Sequence, residues 1–173
     1  MKRNILYAVT TLLVSFALFL PVMAETSWED AIQYPACPYC GMDRQKYAHS
    51  RMLTTYDNKN VVGFCSIHCA AAQLAVEMDK SPLTIEVGDH NTHKLIDAEK
   101  AFWVIGGSKP GVMTKRPKWA FATQKAASAF IKEFGGEHAN FEQAMEATYQ
   151  DMYHDSNMIR EKRKMKATKK CAN

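Results

Sequence analysis

Apolar and polar positions alternate through "SRMLTTY", pause at the polar turn "DNKN", and resume in "VVGFC". A period of two on either side of a short polar break predicts a β-hairpin. Ser66 then stands at an N-cap position before "IHCAAAQLAVEMDK", which predicts a helix over 67–80 halted ahead of Pro82. "LTIEV" reads as a strand and "GDHNTH" as a turn. The second half repeats this order. "AFWVIGG" predicts a strand, "SKPGVMTKRPK" a Gly/Pro-rich loop and "WAFA" a short strand. Thr123 caps "QKAASAFIKEF", which Gly135 and Gly136 terminate. "EHANF" reads as a further strand, and an amphipathic helix is predicted from about residue 142 to 155.

The halves align at their strand-to-helix junctions. "GFCSIHCAAAQLA" lies over "AFATQKAASAFIK", with Phe64 over Phe121 and Ser66 over Thr123. This weak self-similarity predicts an α+β fold of two repeated ββαβ units, two small, mainly antiparallel sheets each covered by a helix, plus a C-terminal helix. The expected organisation is a leader over 1–24, a polar lead-in over 25–36, a first unit over 37–90, a second unit with the terminal helix over 91–158, and a disordered basic tail over 159–173. Trp103, Trp119, Phe102 and Phe121 are expected in the strands of the core.

The leader carries Lys2 and Arg3, an apolar run from Ile5 to Leu20, and Val22-Met23-Ala24. This is the pattern of a secretory signal peptide cleaved after Ala24, and it implies periplasmic export. No cysteine stands at the cleavage point, so a lipid anchor is not expected there. Residues 25–159 hold 13 Lys/Arg against 17 Asp/Glu, whereas 160–173 hold seven against one. The sequence pI of about 8.8 thus comes largely from the tail, and no nucleic-acid surface is inferred from it.

Export makes the cysteines informative, because disulfides must be weighed in an oxidising compartment. "ACPYCGM" places Cys37 and Cys40 on a loop, and "CSIHC" places Cys65 and Cys69 at the mouth of the first helix. If the loop folds over that mouth, four sulfurs converge. Helix N-terminal N–H groups favour thiolate there. Four chemistries remain open. A thiol–disulfide oxidoreductase is suggested by "CPYC", although Gly41 follows it rather than a helix, and the leading βαβ segment of such folds is missing. A closed tetrahedral zinc site would use all four cysteines. One or two simple disulfides would leave no site. Copper(I), a soft ion content with two or three sulfur donors, would also employ Met42, set two residues from Cys40 across a permissive glycine.

Taken in order, "CPYCGM", "GFCSIHC" and "KAFWVIGG…PGVMTKRPKWAFATQKAASAFIKEFGG" resemble the nitrous oxide reductase accessory protein family NosL, over about residues 37–140. The resemblance implies two ββαβ units and a copper(I) chaperone outside the cytoplasmic membrane. It further implies as partners a copper-receiving exported protein, such as nitrous oxide reductase, and a membrane copper transporter. The family's Cys and Met of "CGM" fall on Cys40 and Met42, and its later methionine on Met113 of "GVMT". The chain departs from the family in its extra pair Cys65/Cys69, in "VMT" where "PMG" is commoner, and in lacking a lipid-attachment cysteine.

The candidate metal residues are therefore Cys40 and Met42, with Cys37, Cys65, Cys69 and Met113 beside them, and copper(I) or zinc as the ion. His68 between the helix cysteines and the His90/His93 pair are weaker candidates. No Ser/His/Asp order, paired carboxylate or phosphate-cradling glycine loop points to an enzyme.

Overall fold

The computed structural model describes residues 28–171; the expected signal peptide lies outside them. A short helix α1 (Glu29–Gln33) opens the chain. It is followed by β1 (Met52–Tyr56), β2 (Val61–Phe64), α2 (Ile67–Val76), β3 (Pro82–Gly88) and β4 (Leu95–Asp97). Then come β5 (Phe102–Ile105), β6 (Lys118–Phe121), α3 (Gln124–Phe134), β7 (Glu137–Ala139) and α4 (Phe141–Cys171).

Two antiparallel sheets form, in the orders β2-β1-β3-β4 and β6-β5-β7. The repeat is visible in the pairing: β1 lies between β2 and β3 as β5 lies between β6 and β7. Met52 pairs with Phe64 in one hairpin, and Phe102 with Phe121 in the other. The aligned residues occupy equivalent places, Phe64 and Phe121 ending strands, Ser66 and Thr123 preceding helices. The two caps differ in chemistry. Thr123 accepts a hydrogen bond from the Ala126 amide at 3.2 Å, whereas the Ser66 side chain makes no capping bond and lies 3.8 Å from Cys65 Sγ.

Several boundaries differ from those the pattern predicts. The polar lead-in contains α1, whose Ala31 is fully buried. Helix α2 ends at Val76, four residues early, because Val76 and Met78 have no core to cover and stand 73% and 84% exposed. Strand β4 is too short for periodicity to reveal, yet it carries the first sheet to Asp97, past the expected boundary at 90. Phe102, expected in the core, stands 39% exposed at the first position of β5, whereas Trp103 and Val104 beside it are buried. The segment from 159 continues α4 as helix to Cys171; it contains no Gly or Pro and is rich in Lys and Arg, both good helix formers.

One core runs under both sheets, joining Met52, Phe64 and Val87 to Trp103, Phe141 and Met145. A second cluster packs Phe121, Val104 and Trp119 against Ala127 and Phe130 of α3. Helix α4 is tied to β6 by Asp151, which takes the otherwise buried Lys118 ammonium and, at 2.9 Å, the Arg116 guanidinium. Beside the second core, His49 sits tilted against His90, His93 and Trp119, at ring separations of 6.2, 6.1 and 5.7 Å. Lys109 Nζ lies 3.0 Å from His90 Nε2.

Burial, with His90, His93 and Lys109 adding positive charge, pushes His49 down to about 4 from 6.5. Burial and Lys109 lower His90 as well. A folded-state value below the unfolded one means that unfolding takes up a proton. The contribution to stability is complete above pH 6.5 and is lost as pH falls from there towards 4. Burial raises Asp30 and Asp151 but their arginine and lysine partners lower them further, so their contribution is complete above 3.8 and is lost only below it, outside the histidine window. Urea unfolding is expected to show a falling midpoint between pH 6.5 and 4, and His49→Gln should flatten that segment of the profile.

Candidate metal centre

The loop bearing Cys37 and Cys40 closes on itself before it meets the sheet. Cys37 N donates to Met42 O and Gly41 N to Cys37 O, each at 2.9 Å, and Ala36 bridges to Asp43. Gly41 adopts φ +73°, where side chains are disfavoured, and so permits the reversal between Cys40 and Met42. Cys65 follows β2 directly, and Cys69 lies in the first turn of α2.

Arg44 brings these two pieces together. It is fully buried, and all five guanidinium N–H groups are used. Nε donates to Phe64 O, the carbonyl just before Cys65, at 3.1 Å. Nη1 donates to Asp30 O at 2.9 Å and Tyr34 O at 2.8 Å. Nη2 donates to Asp30 Oδ2 at 2.7 Å and Met52 O at 3.0 Å. The same carboxylate accepts from Arg51, itself buried, at 2.7 Å. Gly63 makes the room: a Cβ there would stand 2.5 Å from the Arg44 guanidinium carbon. Ser50 Oγ adds a bond to Cys65 O at 2.9 Å.

The result is a convergence of all four thiols, whose sulfurs lie within 4.8 Å of one another. Cys40 Sγ is 3.4 Å from Cys65 Sγ and 3.8 Å from Cys69 Sγ, and the last two are 3.8 Å apart. Cys37, Cys65 and Cys69 are at most 2% exposed, while Cys40 is half-buried. Sulfurs bound to one ion at ~2.3 Å stand roughly 3.8 Å apart in a tetrahedron and about 4 Å apart in a trigonal plane. The protein thus presents a preformed sulfur cage for a soft metal ion.

Within the free cage the thiols share protons unequally. Hydrogen bonds from Cys65 and then Cys69 hold Cys37 far below the ordinary thiol range. Donating to Cys37 pushes Cys65 up to about 12, and the same interaction raises Cys69, with Cys65 and burial adding to it. The cluster neighbours an Arg44–Asp30–Arg51 group of net charge +1, and Cys37 favours the charged form of Arg44.

The other candidates are placed less centrally. Met42 is half-buried and packs against the core that contains the cysteines. Met113 is 40% exposed at φ +61°, and its neighbour Val112 packs against that core. His68 is half-buried, its Nδ1 buried without a hydrogen-bond partner. His90 and His93 belong to the aromatic cluster around His49 rather than to the thiols. Asp30, Arg44, Arg51 and Gly63 were legible only as unremarkable positions: a lone Asp, two Arg and a strand Gly have no local signature of burial.

Fold and site together define a sulfur-rich metal-binding protein built of two strand–strand–helix–strand units. The NosL family model matches residues 31–149, and the chain belongs to that family. Among solved structures it is similar to the copper chaperone NosL from Shewanella denitrificans, with a TM-score of 0.51 and 23% identity, covering 62% of this chain and 87% of that one. That likeness supports the fold. No curated protein matches the chain.

Removing the Asp30 charge leaves two buried guanidiniums facing each other. Asp30→Asn is expected to lower unfolding free energy by about 3–5 kcal/mol, measured by urea denaturation. Gly63→Ala should displace Arg44 and raise the alkylation rate of Cys37 at least tenfold, a readout of cage opening rather than of global stability.

Proposed function

We propose that this protein is an export-side copper(I) carrier that receives the ion and yields it to a docked acceptor by ligand exchange. The observation that carries the reading is the convergence of four thiols beneath one half-exposed sulfur, Cys40. Membership of the NosL family supports it, as does the fold likeness to a protein described as a copper chaperone.

Charge favours a low-coordinate arrangement. Four thiolates around copper(I) would bury a net charge of −3, against a neighbouring group of +1. Two thiolates around the ion give −1, which that group balances, and a neutral thioether adds a donor without adding charge. Cys40 with one buried thiolate, completed by Met42, therefore forms the proposed resting set. Cys37, Cys65 and Cys69 are the available partners within the cage, and Met113 is a second thioether for the transfer step. Cys40 is the exit ligand because it is the one cage sulfur an incoming protein can reach. Nitrous oxide reductase is the proposed acceptor, with another exported copper protein as its substitute and a membrane copper transporter as supplier; the site of action is the periplasm.

A structural zinc site is the second reading. Sulfur separations of 3.4–3.8 Å approach the edge of a zinc–thiolate tetrahedron, and such a site would leave Met42 idle.

Anaerobic copper(I) titration against a competing chelator separates the two. The carrier reading predicts one tightly bound copper, weakened at least a hundredfold by Cys40→Ser and about tenfold by Met42→Ala. Zinc retained through the same competition, with no effect of Met42→Ala, would establish the structural site instead.

A further inference from the structure

The cage is also poised for chemistry without metal, and this step rests on the export-side reading above. The sulfurs of Cys40 and Cys65 lie 3.4 Å apart, although the residues are 25 positions apart in sequence. Their exposure is unequal: Cys40 is half-buried, whereas Cys65 is completely enclosed. An external disulfide can therefore reach the first but not the second. Cys40 is also the more movable member. It precedes Gly41, whose φ is +73° and beside which a Cβ would meet nothing within 4 Å, so the loop has free space around its turn. Cys65 is anchored, with its carbonyl held by Ser50 and the preceding carbonyl by Arg44.

We infer that Cys40 and Cys65 form a reversible disulfide that competes with the metal, so that loading requires a dithiol reductant. Cys40 gives up its proton and attacks one sulfur of an external disulfide, whose S–S bond breaks and whose second half leaves as a thiolate and takes up that proton. Cys65 then attacks the Cys40 sulfur of the mixed disulfide, gives up its own proton, and expels the remaining half as a thiol. Two protein thiols lose two electrons and two protons, and the external disulfide becomes two thiols. The oxidised cage keeps only Cys37 and Cys69 as free thiols and has lost its exit ligand. A dithiol protein that opens the bond must act before the ion is delivered, which gives the chain a second class of partner beyond the donor and acceptor of copper.

The test uses metal-free protein carrying Cys171→Ser, which removes the thiol of the terminal segment. It is exposed to oxidised glutathione, and peptide mapping with mass-tagged thiols follows the products. The inference predicts loss of two of the four remaining thiols, a Cys40–Cys65 crosslink as the main product, and full recovery with dithiothreitol. Cys65→Ser should hold the Cys40–glutathione adduct at least tenfold longer. A Cys37–Cys40 crosslink as the main product, attack beginning at a buried cysteine, or four thiols that persist would overturn it. Prior loading with copper(I) should slow thiol loss at least tenfold. Mapping as predicted without that protection would overturn the competition with the metal, whereas failure of the reduced protein to bind copper(I) in the chelator titration would sink the copper reading and leave the disulfide standing, so the two fail separately.

Discussion

A buried guanidinium is the constraint on which the metal centre depends. Arg44 cannot enter the interior unless every donor finds an acceptor and its charge finds a counterion. The structure meets both demands with Asp30 and four backbone carbonyls drawn from α1, the residue after it, β1 and β2. Those acceptors come from separate stretches of chain, so satisfying one side chain fixes their relative positions. The cysteine loop immediately precedes Arg44, and Cys65 immediately follows its acceptor Phe64. The sulfur cage is thus assembled by a polar network that contains none of its ligands.

That arrangement has an electrostatic consequence. Asp30 neutralises one of two buried arginines, and the surplus positive charge favours anionic sulfur in the neighbouring cluster, where hydrogen bonds from Cys65 and Cys69 hold Cys37 far below the ordinary thiol range. Geometry alone points both ways, since separations near 3.8 Å suit either coordination.

The repeat was readable because its signals are local. Alternation in "SRMLTTY" and "VVGFC", Thr123 before an apolar stripe, and Gly135-Gly136 after it each specify an element through a few neighbouring residues. The two ββαβ units and the antiparallel sheets follow from them. Strand β4 was hidden because three residues carry no period, and α1 because five residues in a polar segment bury a single alanine. The terminal helix exceeded its expected length because charge was read as a sign of disorder, although Lys and Arg are good helix formers. At the site, Cys-x2-Cys and Cys-x3-Cys announced themselves by spacing, and the structure brings those four together. Asp30, Arg44, Arg51 and Gly63 stayed silent. Their importance lies in contacts between residues up to 42 positions apart, which no window on a single sequence reports.

The account turns on a soft ion held by sulfur in a cage that is never fully occupied by thiolate. X-ray absorption at the copper K-edge of the loaded, reduced protein measures this directly. The account predicts copper(I) with two or three sulfur neighbours and no nitrogen or oxygen donor. A shell containing imidazole or carboxylate, or four equivalent sulfurs, would contradict it.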